Sequence, residues 1–187
     1  MILRELGLAP FAGLANLRVA FREGLNVVLG PNEAGKSTLV HALKRVLFTP
    51  TKYDKKVFDR DLMPFLPLDG GDTIEVELTF SVGAGTFRLR KSWGGKKECH
   101  LDLPHGGVLA DPSAVHHEMK KLLGSSEGTY QNVLIAFQAG LGRTFENLKE
   151  DPATTHDLAS ILRKGILETD GVSIERLSEA IEARFKN

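Results

Sequence analysis

The segment Gly30-Pro31-Asn32-Glu33-Ala34-Gly35-Lys36-Ser37 places two glycines, a lysine and a hydroxyl in one short stretch. Each part suits the binding of a phosphate chain. Glycines permit a tight turn whose successive backbone N–H groups point inward. A helix starting near Lys36 aims the positive end of its dipole at the same point. The Lys36 ammonium can neutralise β- and γ-phosphate oxygens, and the Ser37 hydroxyl is a hard oxygen ligand for Mg²⁺. A chance match to this pattern in such a chain has a probability on the order of 1%. The expected ligand is a nucleoside triphosphate, taken as ATP with Mg²⁺. The expected nucleotide-binding residues are Gly30, Pro31, Asn32, Glu33, Ala34, Gly35, Lys36, Ser37 and Thr38, with Ser37 on the metal.

Hydrolysis asks for more. Phosphate loops that hydrolyse usually work with an acidic Mg²⁺ ligand at the end of an apolar strand. Val108-Leu109-Ala110-Asp111 is the nearest candidate, but Pro112 follows, and Asp111 reads better as a helix cap. The strong apolar run 133–137 ends in Gln138. An amide oxygen can ligand Mg²⁺ or orient water, but it is a very poor general base. The chain thus reads as half of a hydrolytic site.

The elements around the loop follow from hydrophobic period. Residues 1–10 and 16–22 read as strands, the second with Leu17, Val19 and Phe21 on one face. Leu25-Asn26-Val27-Val28-Leu29 suits a strand buried on both faces, leading into the phosphate loop. Leu39, Val40, Leu43, Val46 and Leu47 give a helix behind the loop, and Pro50 lies just past it. Residues 51–71 read as an ordered, irregular excursion. Residues 72–103 alternate as an antiparallel meander with one wet face, jointed at Gly83–Gly85 and Gly94-Gly95. Asp111-Pro112 opens a helix carrying Val115, Met119, Leu122 and Leu123. Further helices are expected behind Asp151-Pro152 and Ser173. The last helix runs to Asn187 without a closing signal, so the chain is expected to continue as a longer helix.

Here a resemblance enters. The stretch Gly30 to Leu39 resembles the Walker A segment of ABC-type ATPases in the SMC and DNA double-strand-break-repair group. The wider frame agrees: an opening strand, a second strand leading to Gly24-Leu25-Asn26-Val27-Val28, the meander, and an apolar run ending in glutamine. The resemblance implies an α/β P-loop NTPase lobe with an antiparallel meander beside its sheet and a helical C-terminal portion. It implies that Gln138 is the Q-loop glutamine, touching Mg²⁺ and the attacking water, so Lys36 and Gln138 become the catalytic candidates. It also implies one N-terminal lobe over residues 1–187: strands, loop and helix in 1–50, excursion and meander in 51–110, helices and the Q-loop in 111–187. A coiled coil would follow, and a C-terminal lobe of the same protein would supply the signature motif, Walker B and the catalytic Glu. Many relatives carry a basic residue after the phenylalanine of the first loop. Here Ala12 follows Phe11, so no base or ribose contact is assigned there.

Composition sets the remaining bounds. The chain has 187 residues, zero formal net charge and one cysteine. Global charge gives no argument for nucleic acid or membrane. A single cysteine excludes an intramolecular disulfide and fits a reducing, cytoplasmic setting. No apolar run is long enough to span a bilayer. Lys52, Lys55, Lys56 and Arg60, with Arg88, Arg90, Lys91, Lys96 and Lys97, form two basic concentrations. They read either as a solvated face or as a weak, sequence-independent DNA contact. Cys99 and His100 are adjacent on a strand and point to opposite faces, which argues against a shared metal ion. Trp93 reads as a turn aromatic.

The expected function is the N-terminal half of an SMC-like ATPase that couples ATP binding and hydrolysis to DNA repair or chromosome transactions. An ATP-dependent homodimer, DNA and a nuclease subunit are the expected partners. The alternatives are a nucleotide-gated dimerising scaffold with incidental hydrolysis, or another P-loop ATPase such as a transport subunit or a kinase.

Overall fold

The computed structural model describes residues 1–124, 127–130 and 156. Two compact units divide the chain, Met1–Gly124 and Ser125–Asn187. The second unit contributes one short helical turn, Glu127–Thr129, to the described residues. Gln138, the run 133–137 and the helices expected after Asp151 and Ser173 lie outside them.

In the first unit the elements run β1 (Ile2–Leu8), β2 (Leu17–Ala20), α1 (Lys36–Phe48), α2 (Lys55–Asp61), a 3₁₀ turn at Met63–Phe65, β3 (Thr73–Val82), β4 (Gly85–Gly94), β5 (Cys99–Asp102), β6 (Val108–Leu109) and α3 (Pro112–Leu123). The six strands form one antiparallel sheet in the order β2-β1-β3-β4-β5-β6.

Strict alternation explains the sheet. Ile74, Val76, Leu78 and Phe80 of β3 point to one face, with Trp93, Lys91, Leu89 and Phe87 of β4 opposite them in register. Leu6 and Leu8 of β1 and Cys99 and Leu101 of β5 extend the same layer. Helix α1 covers β3 and β4 with Ala42, Val46 and Leu47, and α3 covers β5 with Val115 and Met119. Burying each large side chain contributes about 1.5–3 kcal/mol. The opposite face is wet and charged. There Arg18 bridges Glu5 and Glu77 at 2.6 and 3.0 Å, and Arg90 meets Asp102 at 3.0 Å. Exposed pairs of this kind add little stability.

Asp111 caps α3 as expected, its carboxylate accepting from the N–H groups of Ser113 and Ala114, and Gly124 closes the helix in the left-handed region at φ 68°. The carboxylate is therefore committed to a cap.

Five expectations change. Residues 25–29 are not a buried strand: they lie outside the sheet, with Leu25 93% and Leu29 86% exposed. A strand buried on both faces needs neighbours on both edges, and no described strand pairs with this one. The meander is not beside the sheet but part of it, because β1 pairs directly with β3. The excursion contains real helix: Asp54 caps α2 by accepting from Val57 N–H at 2.8 Å. Lys91 belongs to the core face of β4 rather than to a basic surface, and Trp93 is buried on that same face rather than placed in a turn.

Candidate phosphate-binding site

The loop after residues 25–29 turns at Pro31, where Ala34 N–H donates to Pro31 O at 3.4 Å. Glu33 and Gly35 both take left-handed backbone, φ 65° and 82°. Left-handed residues alternating with right-handed ones turn successive N–H groups toward one concavity, which is an anion-binding shape. Glycine adopts this conformation freely, whereas for Glu33 it is strained. Backbone strain of this kind concentrates at ligand sites.

Gly35 is also the N-cap of α1 and makes no side-chain capping bond. Leu39 N–H donates to Gly35 O, while the first-turn donors ahead of it have no partner within the helix. Lys36 begins the helix. Its ammonium lies back across the loop and donates to Gly30 O at 2.9 Å and Pro31 O at 2.5 Å. A cation held by two backbone carbonyls can exchange them for phosphate oxygens. Ser37 and Thr38 follow in the first turn, with Ser37 exposed.

The loop is backed by a layer that the sequence did not announce. The segment after β1 closes on itself through Phe11 N–H to Leu14 O at 2.9 Å and Leu14 N–H to Phe11 O at 3.0 Å. This sets Leu14 against Gly35: a β-carbon built on Gly35 would lie 3.0 Å from Leu14 Cδ2. Phe11 is fully buried and stacks on Phe65, ring centres 4.9 Å apart, while Ala12 N–H donates to Phe65 O at 2.7 Å. His41 of α1 also packs on Phe65, ring centres 5.2 Å apart. Its imidazole is held below the ordinary histidine range, first by burial and then by the nearby Arg45 and Lys44 charges. Only the pairing of Phe11 and Phe65 across a long sequence gap could have shown this layer, and hydrophobic period carries no such information.

The residues present fit a triphosphate: a left-handed loop, open helix N–H groups, one lysine across them and a hydroxyl in the first turn. Bound Mg²⁺ would supply charge neutralisation between the phosphates, with Ser37 Oγ as the ligand available from this unit. Among the described residues no cluster of three His, Cys, Asp or Glu side chains could hold a metal ion. Cys99 is buried on the core face and His100 lies on the other.

The basic residues sort themselves in space. Arg60 pairs with Asp61, Arg90 with Asp102, and Lys96 with Glu75 and Glu98. Lys97 lies over the Tyr53 ring, 4.4 Å from its centre. Lys52, Lys55, Lys56 and Lys97 are all exposed, and Lys97 on Tyr53 brings the second basic stretch to the first. The two basic stretches thus meet at one place.

The chain is similar to several known proteins. A family model described as an AAA domain matches residues 1–63. The DNA double-strand break repair Rad50 ATPase of Thermoplasma acidophilum is 32% identical over 190 residues, covering 97% of this chain and 19% of the relative. The corresponding Rad50 ATPase of Sulfolobus acidocaldarius is 23% identical over 191 residues, covering 100% of this chain and 21% of the relative. The chain therefore spans about a fifth of the length of these relatives. A solved structure from work on the "structural biochemistry of ATP-driven dimerization and DNA stimulated activation of SMC ATPases" aligns with a TM-score of 0.50 and 14% identity, over 79% of this chain and 99% of that one. That likeness is one of fold. The mixed architecture and these matches fit one class, the α/β P-loop ATPases. Within that class, the matches place the chain with the N-terminal lobes of the SMC/Rad50-like, ABC-type ATPases.

Proposed function

We propose that this chain binds Mg·ATP through Gly30–Thr38 as the N-terminal lobe of an ATPase that acts in DNA repair or chromosome transactions. The observation that carries the reading is the Lys36 ammonium lying across a loop with Glu33 and Gly35 in left-handed backbone. Positioning and charge stabilisation carry phosphoryl transfer, and this lobe supplies the binding half of both. Gln138 is proposed as the residue that reaches Mg²⁺ and orients the attacking water.

The exposed run Leu25–Leu29 supports a second lobe. An exposed, largely apolar segment directly before the proposed phosphate loop, outside the described strands, is a site for strand addition. A C-terminal lobe of the same protein is the proposed occupant. It would bring the carboxylates missing here, and ATP would hold two such heads together as a dimer. Lys52, Lys55, Lys56 and Lys97 support a contact with the DNA backbone, which carries no sequence information. A nuclease subunit is a further proposed partner. Among the described residues, no helix is long and apolar enough to cross a membrane.

The test is phosphate release by the chain alone and after addition of the C-terminal lobe. The expected result is near-background release alone, and a marked rise with an ATP-dependent increase in assembly size on mixing. Brisk hydrolysis by the chain alone, abolished by Lys36→Ala, would overturn the half-site reading.

A further inference from the structure

Three groups on β4 grip the chain as it leaves α1. Lys91 Nζ donates to Thr49 O at 3.1 Å, Trp93 Nε1 donates to Pro50 O at 3.0 Å, and Gly94 N–H donates to Tyr53 Oη at 2.9 Å. Thr49 is the C-cap of α1, its own N–H donating to Arg45 O. The strand therefore pins the exit of the same helix whose entry forms the phosphate loop.

Lys91 is the informative member. It stands on the core face of β4, opposite Val76 on one side and Cys99 on the other, and is only 8% exposed. The alternation that fills this face with Ile74, Leu78, Leu89 and Leu101 asks for an alkyl side chain there. A buried ammonium costs more than an alkyl group and persists only where acceptors hold it. Here its nitrogen meets the carbonyl at the end of α1, where the negative end of the helix dipole also favours a cation. Trp93, fully buried, makes the neighbouring bond with its one polar atom.

We propose that Lys91 and Trp93 are positioning residues for phosphate binding: by fixing the far end of α1 they fix the aim of its first turn. This rests on the phosphate-loop reading above. Helix α1 has 13 residues and so is about 20 Å long. A pivot of about 5° at a loosened exit would move the first turn by roughly 2 Å. Displacements of about 1 Å are enough to degrade a positioned site severely.

The experiment titrates the chain with a fluorescent ATP analogue and Mg²⁺, alongside thermal melts. Lys91→Met keeps the stem and the burial but removes the ammonium, and should weaken binding at least about fivefold. Lys91→Arg keeps a cationic donor and should return affinity to within about twofold of wild type. Trp93→Phe removes the Nε1 donor together with one ring of the buried indole, and should weaken binding at least about two- to threefold. Val115→Ala, on α3 against β5, lowers stability away from α1 and should leave affinity within about twofold. Lys91→Met affinity within twofold of wild type, or an equal loss in Val115→Ala, would overturn the assignment. If Lys91→Met does not fold, Trp93→Phe decides on the same terms. A wild-type chain that binds no nucleotide would overturn the phosphate-loop reading and this assignment with it, and the wild-type titration tells the two failures apart.

Discussion

Gly35→Ala tests the loop where its geometry is tightest. At φ 82° an alanine costs about 1–2 kcal/mol more than glycine. Its β-carbon would lie 3.0 Å from Leu14 Cδ2 and 3.3 Å from Cδ1. Leu14 is a flexible side chain held by a closed turn, so moving it off its rotamer costs about 0.5–1.5 kcal/mol. Against this, removing a glycine from the unfolded chain stabilises by about 0.4–1 kcal/mol. The sum is a net loss of roughly 0.5–3 kcal/mol, or a fall in Tm of about 2–12 °C for a unit of this size. Because Gly35 is the N-cap of α1, relief of the strain also turns the first-turn N–H groups away from the phosphates. The assay is thermal unfolding with and without Mg·ATP. The wild type should gain stability from bound nucleotide by mass action, and the variant should start lower and gain little. A Tm within about 1 °C of wild type, with the same ligand-induced rise, would refute the reasoning.

His41 gives a pH signature. Its folded pKa is depressed below the ordinary 6.5, first by burial. As pH falls through about 6.5 the unfolded chain takes up the proton before the folded one does. Stability should therefore fall as pH drops below about 7, and level off once the folded form is protonated too. His41→Gln should flatten this part of the curve measured by urea unfolding, and an unchanged curve would contradict it. Replacing Lys52, Lys55, Lys56 and Lys97 together by alanine should weaken binding to any duplex sequence alike and reduce the slope of log affinity against log salt. Retained affinity at high salt, or a clear sequence preference, would count against a backbone contact.

The meander, α1 and the cap at Asp111 were legible because each is a local pattern: alternation in Thr73–Val82, a helical stripe from Leu39 to Leu47, and Asp before Pro. The segment Gly30–Ser37 stood out as a candidate phosphate loop because that chemistry fixes residue type at close spacing. The fate of Leu25–Leu29 was not. An apolar run signals that burial is wanted but does not name the neighbour, and none of the described strands fills that role. Lys91 was misread because composition counts a lysine as surface charge, while the register puts it between Val76 and Cys99. The packing of Leu14, Phe11 and Phe65 behind the loop depends on contacts between distant segments, which leave no periodic trace.

The most direct test of the central claim is an equilibrium titration of wild type and Lys36→Ala with Mg·ATP, paired with a melt of each. A hydrogen bond to a charged group is worth about 1.5–3 kcal/mol, so the lost ammonium should weaken binding by roughly 10- to 100-fold. Among the described residues Lys36 donates to the loop carbonyls of Gly30 and Pro31, so the fold should persist with little change in Tm. Equal affinities in wild type and variant would contradict the assignment of Gly30–Thr38 as the phosphate site.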